Sequence, residues 1–152
     1  MSVLAQLTAF LDAQQVGYEI HSSAYPVATQ PAKAVMVRAG AECLLAITAR
    51  SSEVSLDRLA KITGNRRLRF ATRFEVAALF PGCSQGSLPP FGNLYDLPVW
   101  IDTSFAPDGD IAFQVGTPEH TVLMRYADFA RLAQPRIASF SFHMDPRSPE
   151  DA

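Results

Sequence analysis

The sequence predicts a mixed α/β fold of the α+β class, built as a single domain. Two observations support this prediction. Apolar residues recur at helical spacing in some stretches and alternate or run continuously in others. The chain has 152 residues, of which 48% are hydrophobic, enough for one buried core. We place the domain at residues 1–134 and expect residues 135–152 to form an irregular tail, because Ser-Pro and Asp-Pro pairs and acidic residues gather there.

The first third of the chain carries one amphipathic helix and a β-hairpin. Ser2 is available as the N-cap of the helix, and Gly17 follows its end. Two apolar runs flank a short turn that contains Gly40, which is typical of a hairpin. The predicted elements are a helix over residues 2–15, a strand over Tyr18–His21, a loop over residues 22–31, and hairpin strands at residues 34–37 and 43–47.

The remaining elements are short. Gly64 ends one helix, and Thr72 with Glu75 forms a capping box at the start of the next. Residues 82–92 contain too many glycines and prolines for a regular element, so they predict a shaped loop. The other predicted elements are helices at 55–62, 73–80 and 126–132, strands at 67–70, 98–101, 111–115 and 121–124, and a tight connection at 116–120.

Charge and cysteine content exclude several classes of protein. The net charge is −2 and the isoelectric point is about 5.9, so we expect no stable binding to duplex DNA. A local contact with a polyanion remains open at Lys61, Arg66, Arg67 and Arg69, for which an ordinary solvated face is the alternative. The two cysteines lack metal-ligand or redox spacing. No export signal or membrane span is apparent, and we expect a cytoplasmic protein.

Lys33, at the start of the first hairpin strand, is a candidate functional residue. An ammonium held at the edge of an apolar surface can bind a phosphate, a carboxylate or a polarised carbonyl, although a solvated lysine at a strand end is the alternative. The loop over residues 82–92 can turn backbone N–H groups towards an oxyanion, or it can simply connect two elements. The sequence has no recognisable Ser/His/Asp elbow and no metal-binding helix.

The ordered set of these segments resembles the YbaK family. This is the aminoacyl-tRNA deacylase domain found free-standing or inserted in bacterial prolyl-tRNA synthetases. The resemblance covers the chain from about Leu7 to Leu132. It implies a curved mixed sheet flanked by helices. The matching segments are Ala32–Arg38, the Gly-x-x-x-Pro loop Gly86–Pro90 with Phe91 and Gly92 after it, Pro98–Asp102, and Gly116–His120.

The resemblance also implies an activity, trans-editing of tRNA. The enzyme would hydrolyse the ester that joins a wrong amino acid to the 3′ CCA end, with no metal or cofactor. The vicinal 2′-hydroxyl of the terminal adenosine would assist, so no protein nucleophile is required. Aminoacyl-tRNA would be the partner, with a tRNA synthetase as a further candidate and no membrane contact. The implied catalytic residues are Lys33, Gly86 through its backbone, and His120, and the expected substrate-binding residues are Thr29, Ser87, Leu88, Pro89, Pro90 and Gly116.

One departure from the family pattern keeps a second hypothesis open. Longer members have a further helix before the lysine, whereas here eleven residues separate His21 from Lys33. That segment helps to shape the aminoacyl pocket. Its loss favours a non-catalytic module that binds a nucleotide or nucleic acid in the same cleft, while Lys33 and Gly86 favour the enzyme.

Overall fold

The structure is a computed structural model that describes residues 2–22 and 29–143. In chain order its elements are α1 (Val3–Ala13), β1 (Tyr18–His21), β2 (Gln30–Ala39), β3 (Glu42–Ala49), β4 (Ser52–Val54), α2 (Leu56–Thr63), β5 (Leu68–Phe70), α3 (Arg73–Leu79), β6 (Val99–Asp102), β7 (Asp110–Val115), β8 (Thr117–Arg125), α4 (Tyr126–Ala133), β9 (Arg136–Ala138) and β10 (Ser141–His143). One 3₁₀ turn covers Gly92–Leu94. No helix in these described ranges is long and apolar enough to cross a membrane.

A mixed sheet forms the centre of the domain, and helices pack on it. Its strand order is β1-β8-β7-β2-β3-β6-β9, with β5 paired to β2 beside that path. The hairpin strands β2 and β3 are antiparallel, with Ala32–Ala39 paired to Glu42–Ala49, while β2 with β7, β3 with β6 and β6 with β9 are parallel. This arrangement confirms the predicted mixed α/β fold and single domain.

The two faces of β2 enter two different cores, because successive side chains of a strand point to opposite sides. Ala34 and Met36 lie in the larger core, which also receives α1 and α4 through Leu7 and Phe129. Val35 and Val37 lie in the smaller core, beneath α2 and the chain around Phe140. The central strand is therefore almost fully buried, and any polar side chain on it must be paired or lie near an opening.

Local signals placed the helices and the hairpin correctly. Ser2 caps α1, and Thr72 and Glu75 make the reciprocal bonds of a capping box at α3. Gly40 turns the hairpin with φ +69°, in the left-handed region that favours glycine. Residues 23–28 of the predicted loop lie outside the described residues, but the loop prediction was wrong for residues 30 and 31, which belong to β2. Lys33 is thus the fourth residue of a strand.

Two predictions near the C-terminus were wrong. The connection expected at residues 116–120 is largely strand, because β8 already begins at Thr117. The pairing of β7 with β8 shifts register at Gln114/Val115, next to this turn. The tail expected to be irregular from residue 135 forms β9 and β10 as far as His143, and these strands pair with β6 and β4. Residues 144–152 of the predicted tail lie outside the described residues.

Asp102 explains how the C-terminal strands are held. Its side chain is buried, and one carboxylate oxygen accepts hydrogen bonds from the backbone N–H groups of Phe140 and Ser141, both at 3.0 Å. The other oxygen accepts from Ser104 N–H at 3.1 Å and so caps the turn that follows β6. Burial alone would raise the pKa of Asp102, but the hydrogen bonds that the carboxylate accepts outweigh burial and hold its pKa below the usual value.

Asp102→Asn should lower the free energy of unfolding by about 1–3 kcal/mol at pH 7, because a buried N–H group loses a charged acceptor. The lowered pKa means that this stabilisation is present above the unfolded pKa of about 4 and is lost as the pH falls further. Urea unfolding of both proteins from pH 7 to pH 3 should therefore show a stability difference that narrows in acid. A difference that stays constant over this range would contradict the role of the carboxylate.

Candidate functional site

The site is built on a gap in the edge of β2. On that edge β7 pairs with residues 30–32 and β5 with residues 37–39, so residues 33–36 lack a strand partner there; we call them the open edge of β2. The loop over residues 84–87 fills this gap. Gly86 N–H donates to the carbonyl of Ala34 at 3.1 Å, and the Gln85 side chain reaches Met36.

Gln85 acts as a substitute peptide group. Its Oε1 accepts from Met36 N–H at 2.7 Å, and its Nε2 donates to the Met36 carbonyl at 2.8 Å and to the Ala71 carbonyl at 3.1 Å. One carboxamide thus pairs the backbone of β2 as a neighbouring strand would, which the almost complete burial of Met36 requires. Gln85 was not predicted, because its position beside Gly86 is its only signal in the sequence.

The loop is braced internally as well. Ser87 Oγ accepts from Ser84 N–H and donates to the Ser84 carbonyl, both at 3.0 Å. Gly116 N–H donates to the Ser87 carbonyl at 2.9 Å and so ties the β7–β8 turn to the loop. The φ of Gly86 is +91°, which L side chains rarely adopt. The loop therefore has a defined shape, and Gly86 is required for its backbone conformation.

Lys33 lies directly beneath this loop. A Cβ added to Gly86 would sit 4.0 Å from Lys33 Cβ, so the two predicted residues are neighbours in space. The Lys33 side chain is only 14% exposed, and its Nζ lies 3.0 Å from Glu53 Oε1 on β4. Glu53 was not predicted. The ion pair fixes the ammonium near the surface and leaves it further N–H donors, since an ammonium carries three.

Arg50 brings a second cation to the loop. It follows the last residue of β3, and its Nη1 donates to the Gly86 carbonyl at 3.3 Å. Its backbone N–H is bound to the Pro31 carbonyl, which anchors the residue to β2. Beside it opens a cleft of about 530 Å³, whose walls include Pro31, Arg50 and Phe105. Arg50 was also missed by the sequence analysis.

The predicted use of Gly86 as an oxyanion donor was wrong for this structure. The Gly86 N–H points into the sheet, where it satisfies the Ala34 carbonyl. The cations beside the loop are instead Lys33, whose Cβ lies next to Gly86, and Arg50, whose guanidinium donates to the Gly86 carbonyl. Gly86 contributes the backbone shape that lets the loop lie over Lys33 and hold Arg50.

His120 occupies a different opening. It is exposed at the beginning of β8, with its Nδ1 3.5 Å from Thr117 Oγ1. With Cys83 and Gly116 it lines a cleft of about 210 Å³ that does not include Lys33 among its lining residues. Burial raises the pKa of the Cys83 thiol, so a thiolate nucleophile is not favoured there. The structure joins His120 to the Lys33 site only indirectly, through the bond from Gly116 to Ser87.

Three of the other predicted substrate-binding residues are buried and so are not exposed to a ligand. Leu88 is fully buried in the larger core, and Pro89 and Pro90 are buried next to it. Thr29 is half-buried just before β2. Within residues 2–22 and 29–143, no three His, Cys, Asp or Glu side chains come together in a way that could hold a metal ion.

Known proteins share this fold over most of the chain. A structure described as a candidate trans-editing enzyme for prolyl tRNA synthetase superposes with a TM-score of 0.73 at 17% identity, covering 93% of this chain and 98% of the other. A scaffold protein used for computational epitope grafting gives a TM-score of 0.75 at 18% identity, with coverage of 93% and 98%.

Comparison of the sequence with known proteins identifies the family of this chain, which similarity of fold alone does not. The multifunctional Ser/Thr-tRNA deacylase ProXp-y of Escherichia coli K12 is 35% identical over 98 residues, which are 64% of this chain; the match spans 58% of the relative's length. The same protein of the O157:H7 strain matches equally. The model of the aminoacyl-tRNA editing domain matches residues 19–132, a range that contains both Lys33 and Gly86. This chain therefore belongs to the aminoacyl-tRNA editing domain family.

Proposed function

We propose that this protein is a trans-editing hydrolase that removes the amino acid from mischarged tRNA. The observation that carries the proposal is the position of Lys33: its side chain is only 14% exposed, its ammonium is paired with the partly exposed Glu53, and its Cβ lies beside Gly86 of the loop. Arg50 adds a second cation on that loop. Two cations of this kind suit a substrate that combines terminal phosphates with an ester carbonyl.

The reaction is the hydrolysis of one ester bond. Water attacks the carbonyl carbon, negative charge develops on the carbonyl oxygen, and the bond to the ribose oxygen then breaks. A proton from the water ends on that ribose oxygen, and the products are a free amino acid and tRNA. The Lys33 ammonium stabilises the developing charge, an interaction that is strengthened because the site is partly shielded from water. The neighbouring ribose hydroxyl can relay the proton, so the protein need not supply a nucleophile.

The substrates to test first follow from the relatives. The Escherichia coli proteins are named Ser/Thr-tRNA deacylases, so seryl- and threonyl-tRNA are the first candidates for this chain. We place the activity in the cytoplasm, where aminoacyl-tRNA is made and used. A tRNA synthetase that supplies the mischarged tRNA is a candidate partner.

Lys33→Ala should lower the single-turnover rate of deacylation at least 100-fold, the usual effect of removing one donor to an oxyanion. Arg131→Ala is the control, since it removes an exposed cation of α4 that lies away from the site. It should retain a wild-type rate of the chemical step at saturating enzyme. Thermal melts should show that both variants fold. A Lys33→Ala protein with wild-type turnover would refute the assignment.

Gly86→Ala tests the loop against a glycine with the same backbone requirement elsewhere. Gly86 and Gly40 have φ of +91° and +69°, and an added Cβ would clash at neither position. Each alanine variant should lose about 1–2 kcal/mol of stability, because both glycines lie in the left-handed region. Only Gly86→Ala should also slow deacylation, by about tenfold or more. Equal rates for the two folded variants would show that the loop shape does not matter for the reaction.

A further inference from the structure

Positive charge is concentrated in one short segment of an otherwise weakly acidic chain. Residues 58–73 contain no Asp or Glu, although the whole protein has a net charge of −2. This segment runs from α2 through β5 to the first turn of α3. Its cations are Arg58, Lys61, Arg66, Arg67, Arg69 and Arg73.

Two of these cations are already used within the protein. Arg69 forms two hydrogen bonds with the Glu75 carboxylate, at 2.8 and 3.0 Å, and Arg58 donates to the Ser141 carbonyl at 2.8 Å. The Arg69 hydrogen bond, with that of the Thr72 backbone, lowers the pKa of Glu75 to about 2, so this carboxylate stays ionised and committed. Lys61, Arg66, Arg67 and Arg73 are exposed, and none forms an ion pair within the described ranges.

Aromatic side chains are exposed among these four cations. Phe74 is 72% exposed and Phe70 is 44% exposed, whereas phenylalanine is normally buried. The Arg73 guanidinium lies 5.0 Å from the centroid of the Phe74 ring and steadies it. Cations interleaved with open aromatic rings are the features that single-stranded nucleic acid binds, through its phosphates and its bases respectively.

This surface leads to the Lys33 site. Phe70 pairs with Val37 of β2, and the next residue, Ala71, donates to Met36 and accepts from Gln85. Val37 and Lys33 are four residues apart on the strand, so about 13 Å separates them. That distance corresponds to about four stacked nucleotides at a rise of about 3.4 Å each.

We propose that Lys61, Arg66, Arg67, Phe70, Arg73 and Phe74 form a docking surface for the single-stranded 3′ end of tRNA. The four cations bind phosphates, and the open face of Phe74 stacks on an unpaired base. A cleft of about 770 Å³, whose lining includes Lys61 and Arg66 together with Asp57, has room for a phosphate and its sugar. The inference rests on the proposed function, since it names the surface that delivers the ester to Lys33.

Binding of uncharged tRNA tests this surface without any need for catalysis. Fluorescence anisotropy at several salt concentrations should show that Arg66→Ala/Arg67→Ala binds about tenfold more weakly at 100 mM salt. Its salt slope should flatten by about 1.4–1.8, because each phosphate contact contributes about 0.7–0.9. Arg125→Ala/Arg131→Ala removes the same charge from β8 and α4, and it should bind like the wild type. Wild-type affinity and slope for Arg66→Ala/Arg67→Ala, in a protein that melts normally, would overturn the proposal.

Phe74→Ala tests the stacking contact separately. It should weaken binding about fivefold or more without changing the salt slope. Ile137→Ala, which removes another exposed apolar side chain, is the matched control and should have no effect. The loss caused by Phe74→Ala should disappear with tRNA that lacks its four 3′ nucleotides. Persistence of the loss on that shortened tRNA would contradict the assignment to the 3′ end.

Two further outcomes separate the possible failures. Equal affinity of the wild type for tRNA and for polyaspartate of the same charge would overturn the assignment to RNA and indicate an acidic partner. Failure of the wild type to hydrolyse any aminoacyl-tRNA would overturn the proposed function alone. The uncharged-tRNA measurements would still decide whether the surface exists.

Discussion

The arrangement of the site depends on the open edge of β2. A buried strand must pair its backbone groups, and neither β7 nor β5 reaches the middle of this edge. Gln85 and Gly86 supply the missing partners from a loop, one with a side-chain amide and the other with its own N–H. The same bonds that complete the sheet therefore fix the loop directly above Lys33. The hydrogen bonds that complete the pairing of the sheet thus also set the geometry of the site.

The ion pair beside this loop is one that a ligand can replace. Lys33 shares its ammonium with Glu53, whose side chain is 53% exposed and can be displaced at low cost. The Arg50 guanidinium donates to the Gly86 carbonyl at 3.3 Å. The Lys33 ammonium can therefore turn towards an incoming phosphate or carbonyl while the backbone below it stays in place. Such preorganisation favours the proposed hydrolysis, because little must be ordered when the substrate binds.

Local patterns predicted the helices and the hairpin, because caps, turns and strand alternation depend on neighbouring residues. The roles of Lys33 and Gly86 came from the family resemblance and stay predictions. Contacts distant in sequence were missed. Gln85 binds Met36 across 49 positions, and β9 and β10 exist only because β6 and β4 lie beside them. Glu53 and Arg50 belong to no recognisable sequence motif, and only the folding of the chain brings them to the site. His120 matched a family position, yet the structure puts it at a separate cleft.

Amide hydrogen exchange at Met36 tests the central claim most directly. In the wild type this N–H is bound by Gln85 Oε1 and should exchange slowly. In Gln85→Ala it should exchange about tenfold faster or more, because the hydrogen bond is lost. The Leu45 amide, which donates to the Pro98 carbonyl on another strand, should remain unchanged as the control. Unaltered exchange at Met36 in the folded variant would contradict the account, since the loop would then not be what completes the sheet above Lys33.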